Sequence, residues 1–280
     1  MSHFVHDGNR IAYEVHGEGS QVTVLLPGLL FSSRMQVPLA RSLAERGHRV
    51  VTVDPLGHGD SDRPADMWRY SMTSFGEQVV ALLDHLEVEQ AVVGGTSLGA
   101  NITLEVAALA PERLRGMVVE MPVLDNALLG AAIAFAPLLV ALTFGEPAMR
   151  LVQRAANLVP RGKVPFLPRL ALDWLGQDPK PSAALLQGLF FGEVAPHRSV
   201  RRTFAAPTLI IGHQRDPVHP FSDADMLAHE LPNARLVNAS SILELRLTPE
   251  RLTGVIGEFV DECWSAKARP ARIRRRAGSA

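Results

Sequence analysis

Ser97 stands in Gly95-Thr96-Ser97-Leu98-Gly99, a hydroxyl between small residues, and its surroundings decide what it can do. An apolar run, Ala91-Val92-Val93-Gly94, leads in, and a helix-like stretch from Asn101 to Ala110 leads out. A strand running straight into a helix leaves room only for a turn too sharp for bulky side chains. Such a turn strains the serine backbone and lifts its hydroxyl clear of the sheet edge. The helix behind it aims free N–H groups, and the positive end of its dipole, at any oxyanion forming there. The chemistry on offer is nucleophilic attack on a carbonyl, and it needs a neighbour that takes the hydroxyl proton. Other chemistries lack their residues. The histidines are scattered without paired metal-ligand spacing. Gly94-Gly95-Thr96-Ser97 has neither the lysine nor the spacing of a phosphate loop or dinucleotide fingerprint.

The elements that must hold this turn follow from periodicity. Arg10 to Val15 reads as an edge strand, closed by a turn at Gly17-Glu18-Gly19. Val22 to Leu26 is a continuous apolar strand, as in a sheet covered on both faces, and Pro27-Gly28-Leu29-Leu30 after it can present backbone amides. A helix is expected over Val37 to Leu43, a strand over Arg49 to Val53, and a glycine-rich turn over Asp54 to Ser61. Phe75, Val79, Leu82, Leu83 and Leu86 form one helical stripe, and Gly116 to Glu120 is the strand after the serine turn and its helix. From Met121 to about Ala206 strand signals vanish, and prolines alternate with apolar helical segments. Strands return at Pro207 to Gly212 and Ala234 to Val237, before a closing helix with Thr248 as N-cap and Pro249 at its first position. This alternation predicts a mostly parallel, doubly wound α/β sheet. The expected organisation is a core of residues 1–120 and 207–265, a helical cap of 121–206, and a basic disordered tail of 266–280.

Composition narrows the function classes. Of 280 residues, 47% are apolar and 20% charged, enough for a sizeable core, and the net charge of −1 sets up no field toward nucleic acid or anionic membrane. The single cysteine, Cys263, excludes an internal disulfide, fits a reducing compartment and falls on an apolar stripe as a packing residue. Met1 to Arg10 is polar and lacks the apolar centre of a signal peptide, so a cytoplasmic location is expected. Leu128 to Phe144 is short for a membrane span and reads as a buried or interfacial helix, so no stable membrane insertion is expected. The run Arg269 to Arg276 reads as a solvated basic tail. Composition leaves monomer and homodimer equally open.

Order of elements and motifs together resemble the α/β-hydrolase superfamily from Phe4 to about Trp264. Pro27-Gly28-Leu29 stands where the family usually has His-Gly-x. Asp54-Pro55-Leu56-Gly57-His58-Gly59-Asp60-Ser61 matches the D-x-x-G-x-G-x-S turn, with Leu56 at a common arginine position. Gly95 to Gly99 matches the G-x-S-x-G elbow. The resemblance implies Ser97 as nucleophile, the amides of Leu29 and Leu98 as oxyanion hole, and a triad in chain order Ser, acid, His. Asp216, in Gly212-His213-Gln214-Arg215-Asp216, occupies the acid loop. The usual histidine is missing: the loop Asn238 to Arg246 has none, and Ile242 stands at its place. His219, in the acid loop itself, is the best remaining base, followed by His213 and then His58, while His229 falls off its helix's apolar stripe and reads as exposed. Glu120 and Asp125 are the alternative acids, and Glu244 and Arg246 read as solvated surface charges, with an ion pair at the pocket mouth as the alternative.

The expected cap is rich in apolar residues, among them Ala131, Ile133, Phe135, Phe144, Trp174 and Phe191, set to line or cover a cavity above Ser97. The resemblance therefore implies a cofactor-free serine hydrolase, of carboxylesterase or lipase type, for a small or medium apolar ester. Its rivals are a ligand-binding protein that kept the fold without the base, and an acyltransferase or lyase on the same scaffold.

Overall fold

The computed structural model describes residues 1–265, so the 266–280 segment and its Arg-rich run lie outside the described residues. Eight strands form one sheet, β1 (Ser2–His6), β2 (Asn9–His16), β3 (Val22–Leu26), β4 (Arg49–Asp54), β5 (Ala91–Thr96), β6 (Leu114–Glu120), β7 (Thr208–His213) and β8 (Ala234–Ala239). Their order is β1-β2-β4-β3-β5-β6-β7-β8, antiparallel for the pairs β1/β2 and β2/β4 and parallel elsewhere. The strand at Arg10 to Val15 is thus interior, not an edge as its sequence suggested. The two-residue turn Asp7-Gly8, with φ of 46° and 74°, folds β1 back onto it. Two positive φ values are what a tight hairpin needs to match the strand twist.

The parallel strands are buried on both faces because their apolar residues alternate. Val24, Leu26, Val93, Met117, Val119 and Ile210 pack on one side, with helices α2 (Met72–His85), α3 (Leu98–Leu109) and α9 (Phe221–Glu230). Leu25, Val92, Val118, Leu209 and Ile211 pack on the other, against α1 (Val37–Glu45) and α11 (Glu250–Ser265). Each fully buried side chain of this size contributes about 1.5–3 kcal/mol, so the double covering is what makes the sheet a rigid platform. Cys263 is buried in the second layer, its Sγ against Gly116. Helix α11 starts at Glu250, one residue later than the Thr248 cap implied, and the Pro249 carbonyl takes its first hydrogen bond, from Thr253 N at 2.8 Å.

Between β6 and β7 the chain is helical throughout: α4 (Leu128–Phe144), α5 (Glu146–Leu158), α6 (Phe166–Leu175), α7 (Pro179–Phe190) and the single turn α8 (Arg198–Arg201), with a 3-10 turn before α6. Helix α7 buries Ala183 to Leu186 in the core, whereas α4 buries only Leu142 and turns Leu129, Ile133, Val140 and Phe144 outward. Helix α4 is therefore largely exposed rather than buried. It bends by 99° into α5, and no single helix among the described residues is long and apolar enough to cross a membrane.

Candidate active site

Ser97 connects β5 to α3 with φ 54° and ψ −111°, a strained conformation for a residue with a Cβ. Its N–H donates to the Glu120 carbonyl at 2.8 Å, and its own carbonyl accepts from Asn101 N at 3.0 Å, which starts α3. The flanking glycines are required by contact. A Cβ on Gly99 would lie 2.6 Å from the Leu26 carbonyl oxygen, and one on Gly95 would meet the Gly99 backbone at the same distance. Strain at the serine is thus held by a strand and a helix pressed together on either side.

The acid and the imidazole arrive on one loop. After β7, Arg215 takes φ 65°, and Asp216 Oδ1 accepts the N–H groups of Val218 (2.8 Å) and His219 (3.0 Å). This Asx-type turn, between Pro217 and Pro220, folds His219 back over its own acid. Asp216 Oδ2 accepts from His219 Nδ1 at 2.9 Å, and the Ser97 hydroxyl donates to His219 Nε2 at 2.9 Å. The carboxylate is an acceptor only, so the proton sits on Nδ1 and Nε2 is left free to accept. Burial pushes the Asp216 carboxyl up, but the bonds from the His219 ring and from the backbone amides outweigh it and hold it below the usual aspartate range.

The other histidines are engaged elsewhere. His213 is buried in β7, bonded through Nδ1 to the Ser241 carbonyl at 2.9 Å, with Nε2 at 3.6 Å from Glu120 Oε1, too long for a hydrogen bond. His58 fills its own turn, Nδ1 donating to the Leu56 carbonyl at 3.1 Å, and burial pushes it down to about 4. His229 is exposed. The turn that carries His58 is built on Asp54: a Cβ on Gly59 would overlap the Asp54 carboxylate, which accepts the amides of Ser33 and Asp60.

The alternative acids have their own cations. Asp125 pairs with the buried Arg201 at 3.2 Å. Glu120 Oε2 accepts from Arg246 at 3.0 Å and also from the Thr96 hydroxyl. Glu244 and Arg246 are neither solvated surface charges nor a pair with each other: the side chains of both are largely buried, Arg246 on Glu120 and Glu244 on Arg251 at 2.7 Å, because residues two apart on the short helix α10 (Glu244–Leu247) face different sides.

Two cavities meet at Ser97, sharing Leu29 and Phe135 as walls. One, of about 540 Å³, also touches Leu98, Ala131, Leu189 and Phe190; the other, of about 480 Å³, touches His219, Trp174, Ile242 and Arg246. Ile133, Val140 and Phe144, expected over the site, face outward instead, because α4 turns only one stripe inward, and Phe191, just past the end of α7, is exposed as well. Leu98 N is at the first turn of α3, and neither it nor Leu29 N donates to a protein acceptor among the described residues. Both residues border the cavity that Ser97 lines.

Two polar residues that sequence alone did not single out shape this space. Asn101 donates to the carbonyls of Val123 and Val194 and accepts the Val123 amide, tying both ends of the helical segment beside the serine. Asp223, in the first turn of α9, accepts the amides of Leu124 (2.7 Å), Asn126 (2.9 Å) and Ala127 (3.0 Å). Only the position of Asn101, four residues beyond Ser97, could have pointed to it.

Among known proteins, a family model described as alpha/beta hydrolase fold matches residues 22–241. A 2-hydroxymuconate semialdehyde hydrolase of Pseudomonas sp. (strain CF600) is 30% identical over 232 residues, 79% of this chain and 76% of that protein. The enol-lactonase from Burkholderia xenovorans LB400 superposes with a TM-score of 0.76 at 22% identity, covering 93% of this chain and all of its own. A meta-cleavage product hydrolase from Pseudomonas fluorescens IP01 gives 0.72 at 20% identity, over 94% and 98% of the two chains. At these identities the two structures share the fold with this chain.

Proposed function

The chain belongs to the α/β-hydrolase fold family, whose relatives here are hydrolases, and from that premise we propose that it is a cofactor-free serine hydrolase of small or medium apolar carboxylic esters. The observation that carries this reading is the 2.9 Å contact between Ser97 Oγ and His219 Nε2, backed by the 2.9 Å contact of His219 Nδ1 to Asp216. In the proposed mechanism Ser97 attacks the ester carbonyl while Nε2 takes its proton. Asp216 holds the ring in the Nδ1–H tautomer and stabilises the imidazolium that forms. The amides of Leu29 and Leu98 receive the oxyanion, and the imidazolium returns its proton to the departing alcohol. Water, activated by the same nitrogen, then releases the acid from Ser97. The proposed substrate is apolar because both cavities have mainly aliphatic and aromatic walls.

The imidazole in contact with the serine supports this reading over that of a binding protein that lost its base. A fluorophosphonate probe and p-nitrophenyl esters of graded acyl length test the proposal. Labelling and turnover are expected in the wild type and absent in Ser97→Ala and His219→Ala. Full turnover by either variant, or a wild type inert to probe and esters alike, refutes it.

A further inference from the structure

Arg246 occupies the loop after β8, and its guanidinium borders the 480 Å³ cavity beside Ser97 and His219. Its side chain is 9% exposed and that of its partner Glu120 is 4% exposed. Nη2 makes both of its bonds inward, to Glu120 Oε2 at 3.0 Å and to Thr96 Oγ1 at 2.8 Å. Thr96 is satisfied in turn, accepting also from Gln36 and donating to Glu120. Nε and Nη1, which carry the other three N–H groups of a guanidinium, have no acceptor among the described residues. Apart from Thr96, Ser97, Glu120 and His219, the surrounding wall is apolar, with Phe31, Leu167, Leu170, Ala171 and Trp174 among its residues, and none of the wall residues accepts from Nε or Nη1. Neither nitrogen is among the buried atoms left without a partner, so these N–H groups face the open space of the cavity, where a ligand oxygen can take the place of water.

Charge decides which oxygen. Glu120 is the counter-ion of Arg246, so the buried pair is neutral as a unit. A carboxylate entering the cavity meets the glutamate as well as the guanidinium, and loses its hydration without a net positive charge to face. An uncharged acceptor meets the free N–H groups without that penalty.

We propose that Arg246 is a substrate-positioning residue, and that the 480 Å³ cavity receives the part of an ester bearing a second, uncharged acceptor oxygen, such as a ketone, ether or amide carbonyl. The proposal rests on Ser97 being the nucleophile, and it narrows the substrate class from any apolar ester to one carrying this second oxygen.

The test compares p-nitrophenyl esters of equal length with plain, keto-substituted and ω-carboxylate acyl chains, alongside phenyl acetates with alkyl or alkoxy groups on the ring. This samples either orientation across Ser97. In the wild type, the acceptor-bearing member of one pair is expected to show kcat/KM roughly tenfold to a hundredfold higher, the scale of a hydrogen bond to a charged donor. Because Arg246→Met alone strands a buried carboxylate, the informative variant is Arg246→Met/Glu120→Gln, in which that ratio falls to about one. Glu120→Gln alone leaves the cation uncompensated, and the ω-carboxylate ester should then gain on the keto ester by about tenfold. A ratio near one in the wild type, or a ratio unchanged in the double variant, overturns the assignment while Ser97-dependent turnover stands. Turnover that survives Ser97→Ala overturns the serine reading and this one with it.

Discussion

Two loops at the same edge of the sheet divide the work unequally. The loop after β7 holds Asp216 and His219 three residues apart, locked by the Asx turn and by each other. The loop after β8 holds Ile242, Leu243 and Arg246, none of which touches the serine oxygen, though all three border the cavity in front of it. In the first loop the imidazole and the carboxylate are local in sequence, and their relative geometry is held by hydrogen bonds within the loop itself. In the second, the residues meet the site only through the fold. On the proposed reading, proton transfer and recognition fall on separate segments of the chain.

Substitutions can break that division. The largest effect is expected for His219→Ala, a fall in kcat of about a millionfold by analogy with loss of a triad histidine elsewhere, measured on p-nitrophenyl butyrate. A much smaller fall would mean that another base serves the serine. Next comes Asp216→Asn, with a drop of about 10⁴ in kcat, since the amide nitrogen facing Nδ1 favours the wrong tautomer. Its pH profile should change along with its rate.

Stability sharpens the comparison from the other side. Burial pushes Glu120 up, but the guanidinium of Arg246, with Thr96 and His213 beside it, holds it at about 2 instead of 4.5. A depressed carboxylate contributes stability that is complete above its unfolded value and disappears as pH drops through the folded one. Melting temperature should therefore decline between pH 4.5 and 2, and less steeply in Glu120→Gln, when followed by circular dichroism. The smallest effect belongs to Ile242→Ala. It should change kcat/KM by about tenfold or less and move the preferred chain length, because it alters only the size of an apolar wall.

Much of this was legible in the chain. The apolar β3 and β5 runs, the glycines around Ser97 and the Asp54 turn each state a local requirement that only one conformation meets, and the fold follows from their order. The Asp7-Gly8 hairpin was equally readable but was passed over as a polar terminus. At the candidate site, Ser97, Asp216 and His219 stand out by type and position, and the structure brings them within hydrogen-bond distance of one another. The partners of Glu120, Arg246 and Asn101 do not stand out, because ion pairs and bridging amides join residues more than 20 positions apart and leave no periodic trace. Exposure of α4 was hidden for a related reason: an evenly apolar helix does not say which stripe faces in.

The Asp223 carboxylate has a mechanical consequence. It clasps the chain at Leu124 to Ala127, where the helical roof begins, yet it stands only four residues beyond His219. The roof is therefore pinned next to the imidazole, like a door hung on the same post as its lock.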